Sequence, residues 1–370
     1  MINENFKKRE KLILILFFVL NNYLLLIIIK HYNNISNINE KSKYKEVKPN
    51  NNLFFTQTNI NLNDEFFQVK EVQNKIIEKN LSYIEAITID SRPKDIGNAL
   101  IILNNLINIC VNIKCRYINI PNGALQKIIK KPIFYREYNI TILPYSYNNK
   151  KDLVLSYRLY HFKYKTKINS VRLNVIRDEV LNNIPQYVAK PDDLYIHIRS
   201  GNIFKNVINR YYAQPPLCFY KKIINENKYK NIYIISIGHE NPVIDQLLKI
   251  YPEIKYKHGT LEEDISLIIN AFNFIMSVST FAMTLIWLNK NIKNLYIYEL
   301  MNYFFLETIN QELRTVNYTI YRMKPSETYY KTMYENWNKT SQQINLLLNE
   351  NCINSKFIIK KFLNIIIKFI

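Results

Sequence analysis

The run DDLYIHIRSGNIFKNVINRYYAQPPLCFY, residues 192–220, opens as a strand and closes as a helix. Leu194, Tyr195, Ile196 and Ile198 form a short β-prone apolar stretch, bounded by Pro191 and Asp192 before it and Gly201 after it. His197, Arg199, Ser200, Gly201 and Asn202 stand where that strand ends. In an open α/β sheet, ligands bind just beyond the carboxyl ends of the strands. An arginine emerging there, beside a glycine that lets the backbone turn, can fork onto a pair of phosphate oxygens. Pro215 and Pro216 suit the first positions of a helix carrying Leu217, Phe219, Tyr220, Ile223 and Ile224.

The alternation continues in both directions. C-terminally, Asn231–Ile237 is an apolar run suited to a buried parallel strand. After the turn Gly238-His239-Glu240-Asn241-Pro242, a helix is expected over Val243–Tyr251 and a strand over Ile254–Tyr256. Glu262, Glu263 and Asp264 open the next helix, where acidic side chains suit the dipole. Phe272–Met276 reads as a strand, Ser277-Val278-Ser279-Thr280-Phe281 as the approach to a helix through Trp287, and Leu295–Tyr298 as a further strand. N-terminally, a strand at Ile84–Ile89, a loop over Asp90–Asn98, a helix at Ala99–Asn112 and a strand at Arg116–Ile120 repeat the pattern. Alternating elements of this kind imply parallel, doubly wound sheets. The pattern is mixed over residues 124–185 and loosens from Met301, with a helix at Tyr303–Leu313 and a strand at Tyr318–Met323. Phe357–Ile370 is apolar and spaced by Lys360, Lys361 and Lys368, a tail that would lie on a membrane surface or dock on the first domain.

Composition sets the bounds. The chain has 370 residues, 48% hydrophobic and 22% charged, enough for one large domain or two moderate ones. A formal charge of +20 fits an anionic partner, although a chain so crowded with Asn, Ile, Lys and Tyr gains lysine by compositional drift as well. The basic residues are spread along the chain and no aromatic–basic RNA motif occurs, so no nucleic-acid partner is expected. The five glycines that remain are therefore informative, and Gly97, Gly201, Gly238 and Gly259 fall in or beside presumptive cleft loops. Four cysteines without CxxC spacing or clustered histidine argue against zinc and leave disulfides open. Leu12–Ile29 is an 18-residue uncharged stretch following Lys7, Lys8, Arg9 and Lys11, read as an uncleaved signal anchor with a cytosolic N-terminus. Residues 30–80 are a polar stem, and the sequons at Asn34, Asn80, Asn139, Asn317 and Asn338 are no more than this much asparagine yields by chance.

His197-Ile198-Arg199-Ser200-Gly201-Asn202 resembles the His-x-Arg-x-Gly-Asp motif of the GT-B fucosyltransferases, the α1,2, α1,6 and protein O-fucosyltransferase group. The Gly97-Asn98 loop before a helix, and Ser277–Phe281 leading into another, resemble that family's N-terminal loop and C-terminal donor motif, in the same order. Asn202 departs from the family's Asp. The resemblance implies a GT-B-like α/β fold, with an acceptor-side domain over 81–188, a nucleotide-sugar domain over 189–345 and an amphipathic tail over 346–370. It implies an inverting glycosyltransferase in the Golgi or ER membrane, type II with its catalytic part lumenal. The donor would be GDP-fucose or another nucleotide-sugar and the acceptor a glycan or glycoprotein, with no metal. Arg199 would hold the diphosphate, with His197, Ser200, Gly201, Asn202, Gly97, Asn98, His239, Ser277, Ser279 and Thr280 around the donor. Glu240, Glu262, Glu263 and Asp264 are the candidates for a general base. A binder that has lost activity is the non-catalytic alternative.

Overall fold

The computed structural model describes residues 85–89, 95–120, 123–144, 152–155, 170–205, 210–300, 317–334 and 336–362. The expected anchor, stem and Tyr303–Leu313 helix lie outside these residues. The described part is mixed α/β, built on two largely parallel sheets.

The first sheet contains β1 (Ala86–Ile89), β2 (Tyr117–Asn119), β3 (Ile133–Tyr135), β4 (Ile140–Leu143) and β5 (Asp152–Leu155), in the order β3-β4-β2-β1-β5. Only the edge pair β3–β4 is antiparallel. Helix α1 (Ile96–Ile113) crosses from β1 to β2, and α2 (Ser170–Asn182) follows β5. Helix α1 begins three residues before the sequence pattern placed it. Ile96 is buried in phase with Ala99, Leu100 and Leu103, so the apolar stripe draws the first turn inward. Gly97 and Asn98 thus belong to a helix start and not to the expected loop. The helix ends on Lys114 in a left-handed conformation, beside a Cys110–Cys115 disulfide.

The second sheet contains β6 (Asp193–His197), β7 (Asn231–Ile235), β8 (Lys255–Lys257), β9 (Asn273–Met276), β10 (Asn294–Tyr298), β11 (Tyr318–Met323) and β12 (Phe357–Phe362). Its order is β12-β11-β10-β9-β6-β7-β8, parallel throughout except for β12 against β11. Helices α3 (Leu217–Glu226), α4 (Pro242–Ile250), α5 (Leu261–Asn270) and α6 (Thr280–Trp287) are the crossovers, and α7 (Glu327–Met333) and α8 (Ser341–Asn349) precede β12. Apart from β12, this is the dinucleotide-fold order 3-2-1-4-5-6, whose direction reverses between β6 and β9. Part of the C-terminal tail therefore completes the second sheet as an edge strand, and does not dock on the first. Phe357 packs on Phe219, Tyr296 and Tyr321, and Phe362 stacks on Tyr318.

Asparagine sets the register of this sheet at the end away from the strand carboxyl termini. The Asn231 side chain donates to the Asp193 carboxylate at 2.8 Å, and the Asn294 amide donates to Asn273 Oδ1 at 2.7 Å. Asn273 donates in turn to the carbonyls of Pro191 and Asp193. Each such bond contributes about 1 kcal/mol net, and slipping the register would leave the buried Asn273 amide unpaired.

Two apolar clusters cover the second sheet. One joins α3, α4, α7 and α8 on one face. The other is continuous from the first sheet through α1 and α2 to α5 and α6, so the two sheets share a core. At its centre α1 packs on α6 so closely that a Cβ on Gly97 would lie 2.5 Å from Phe281 N. Cys218 and Cys352 form a second disulfide.

Candidate functional site

A cavity of about 380 Å³ opens at the carboxyl ends of the second sheet, beside the strand reversal. Its lining comes from Asp95–Asn98 at the start of α1, His197–Ser200 after β6, Ser236 and Ile237 after β7, His258–Asp264 around the start of α5, and Thr280 and Phe281 at the start of α6. Tyr212 closes one side.

Arg199 sits at the reversal. Its Nη2 donates to Asn202 Oδ1 at 3.2 Å, and its guanidinium lies over the Tyr212 ring at 5.9 Å from the centroid. The Nε atom is buried with no partner among the described residues. The loop that carries Arg199 is clamped by the neighbouring turn. Glu240 Oε2 accepts from Ser200 Oγ at 2.9 Å and from Gly201 N at 3.0 Å, while Oε1 pairs with Lys205 at 2.6 Å. The buried Asn241 side chain donates to the Arg199 carbonyl, and its backbone N–H donates to Ser200 Oγ. Gly201 has φ +72°, which only glycine adopts cheaply. Lys205 above all, with the backbone N–H and Ser200, holds the Glu240 carboxyl down to about 2. A carboxylate so bound is a weak base, and its role here is to hold the loop.

His197 is buried at the end of β6, and its Nδ1 shares a 2.6 Å hydrogen bond with Ser277 Oγ at the end of β9. Burial, reinforced by the Arg199 charge, lowers its pKa to about 3, so the ring is neutral at physiological pH. The bond bridges the two strands at the reversal and fixes the direction in which the Arg199 loop departs.

Of the candidates read from the sequence, Gly97, Asn98, His197, Arg199, Ser200 and Thr280 line the cavity. Ser277 and Ser279 are buried behind it. Asn202 is exposed and acts through Arg199. His239 lies outside, bonded to Asp245 at 2.9 Å and packed on Tyr256. Among the four acidic candidates, Asp264 lines the cavity; burial first, and the Glu263 charge second, push its carboxyl up to about 7. Glu263 closes a capping box with Thr260. The sequence reading missed Tyr212 and Ile237, the latter 70% exposed at the cavity lip. It missed Asn241 too, whose signal was the Asn-Pro pair at the start of α4.

The helix starts differ in how they are closed. Asn241 caps α4, Thr260 caps α5, Ser326 caps α7 and Thr340 caps α8, each with its side chain. The α1 and α6 starts, which meet at Gly97 inside the cavity, have no side-chain cap although Asp95 and Ser279 occupy the N-cap positions. Helix α3, which begins on Pro216, is likewise uncapped. Two uncapped helix starts beside one arginine make a place for an anion, with backbone N–H groups and partial positive charge directed to it.

No family model and no curated protein matches the chain. The solved structures that overlap it weakly include two of POFUT1. A crystal structure of POFUT1 in complex with GDP shares 11% identity over 55% of this chain and 93% of that one, with a TM-score of 0.32. One of POFUT1 in complex with GDP-fucose shares 14% identity over 56% and 69%, with a TM-score of 0.24. Likeness this shallow carries no argument about activity, and the residues of the cleft have to supply it.

Proposed function

We propose that the chain is a GT-B-like glycosyltransferase that takes a nucleoside-diphosphate sugar, with GDP-fucose the donor to test first. The observation that carries this reading is the convergence of Arg199 with the uncapped starts of α1 and α6 at the strand reversal. A diphosphate meets a planar cation on one side and helix N–H groups on the other, and the same groups stabilise the charge that develops on the leaving nucleotide. A cation and helix dipoles can do this without a metal ion. Asp264 stands on another wall of the cavity, at the start of α5, where a hydroxyl or N–H donor of a nucleotide-sugar finds an acceptor. The donor is GDP-fucose because the His197–Asn202 motif resembles that of the fucosyltransferases. By the same resemblance the acceptor hydroxyl attacks opposite the diphosphate: the new glycosidic bond forms as the bond to the diphosphate breaks, Arg199 takes up the charge left on the nucleotide, the hydroxyl proton passes to water, and the anomeric centre inverts. Two disulfides and an 18-residue uncharged stretch at 12–29 support a membrane-anchored protein of the secretory lumen.

The test is to incubate the full-length protein with GDP-fucose, and in parallel with UDP- and CMP-sugars, and to measure nucleotide release with and without glycan acceptors. Release of GDP from GDP-fucose above the level of an Arg199→Ala variant supports the proposal. Release from UDP- or CMP-sugars alone keeps the reaction and changes the donor. Absence of release and of nucleotide binding sinks the reading.

A further inference from the structure

The connection between the two sheets is fastened to the helix that borders the cavity. Between α2 and β6, Tyr187 makes two bonds to α5: its backbone N–H donates to Ser266 Oγ at 3.0 Å, and its hydroxyl donates to Glu263 Oε1 at 2.6 Å. The other oxygen of that carboxylate accepts from Thr260 N at 2.8 Å, and Thr260 Oγ1 accepts from Glu263 N at 3.2 Å. The carboxylate also lies against Gly259, where a Cβ would come within 2.5 Å of Oε2. One side chain thus joins the connection, the helix start and the turn. His258, Gly259, Leu261 and Asp264, on either side of it, form one wall of the cavity.

A capping box needs only Thr260 and Glu263 to satisfy the helix start. The tyrosine adds nothing to that cap. Its effect is to choose one orientation of the carboxylate and hence one position of the Gly259–Thr260 backbone, through a short bond to a charged acceptor. We infer that Tyr187 is a positioning residue that sets the His258–Asp264 wall of the cavity through Glu263, linking the inter-sheet connection to nucleotide affinity. This rests on the donor reading for the ligand and on the hydrogen-bond geometry for the linkage.

The test uses the full-length protein and the variants Tyr187→Phe, Glu263→Gln and the double variant. Phenylalanine keeps the ring that packs on the core and loses only the hydroxyl. GDP binding is measured by calorimetry, and amide exchange at residues 258–261 in the ligand-free protein. Tyr187→Phe should weaken GDP by about three- to tenfold, the range of one hydrogen bond to a charged group acting indirectly, and should speed exchange at Gly259 and Thr260. In the Glu263→Gln background the same change should have a much smaller effect, since both act through one carboxylate. Unchanged exchange in Tyr187→Phe overturns the inference, as does a full additive effect in the double variant. If the wild-type protein takes up no GDP, the donor reading falls, and the exchange rates alone then decide the positioning role.

Discussion

Replacing Gly97 with alanine tests whether the meeting of α1 and α6 builds the anion site. The added Cβ would lie 2.5 Å from both Phe281 N and Thr280 C, and 2.8 Å from Phe281 Cα. These are backbone atoms, so no rotamer change relieves the contact. Ordinary contact begins near 3.4 Å, so the two helix starts must separate by roughly 1 Å. Overpacking of this kind costs about 1–3 kcal/mol. Alanine's better helix propensity offsets up to ~1 kcal/mol of that. The net destabilisation is modest, a fall in Tm of up to about 4 °C for a chain of this size. The effect on transfer should be much larger, because a misplacement of about 1 Å at a reacting centre costs on the order of a hundredfold. The assay pairs thermal melting with the rate of GDP release from GDP-fucose. A variant that melts a few degrees lower and turns over about a hundredfold more slowly bears out the geometry. Wild-type turnover with unchanged melting would show that the helices do not abut. Failure to fold would place the role of Gly97 in the shared core and not in the cleft.

Arg199→Lys should lose nearly as much turnover as Arg199→Ala, about a hundred- to a thousandfold, because lysine keeps the charge but not the planar fork; near wild-type rates for lysine in the same assay would reduce Arg199 to a background charge. Asn202→Asp should retain or raise turnover, since a carboxylate would strengthen the 3.2 Å contact that orients the guanidinium; a drop to background would show that the loop depends on the amide. Asp264→Asn should stabilise the fold at pH 8 and much less at pH 5. In the folded chain the Asp264 carboxyl keeps its proton up to about 7, against 3.8 ordinarily, so its contribution to stability declines as pH rises through that window. The shift would carry ~4 kcal/mol undiscounted and on the order of 1–2 kcal/mol after solvent screening, and a Tm difference between variant and wild type that does not grow from pH 5 to pH 8 would contradict it.

The second sheet was legible because its strands are local events. Leu194–Ile198 and Asn231–Ile237 announce themselves by apolar content and flanking turns, and the acidic start of α5 marks a helix terminus. The pairings were not legible. That His197 bonds Ser277 across 80 residues, or that Glu240 reaches back 40 residues to Ser200, depends on strand order, which no local pattern encodes. The start of α1 was misplaced for a related reason. Gly97 looks like a loop residue, and its actual use, letting another backbone approach, belongs to a partner nearly two hundred residues away. The tail misled through its lysines: Lys360 and Lys361 give FIIKKF an amphipathic look, yet both are exposed on an edge strand, where charge discourages further strand addition.

The Cys218–Cys352 bond closes a ring of the chain spanning a sequence separation of 134 residues, from the first turn of α3 to the approach to β12. The ring holds β7 through β11, while β6, the strand that delivers Arg199, comes from outside it and lies between two ring members, β7 and β9. A peptide bond cut within the ring therefore cannot release a fragment. The two pieces stay tethered under non-reducing conditions, and separate only when a reductant opens the bond. Single nicks within the ring are thus survivable damage, and a gel run without reductant will show a clipped molecule as whole.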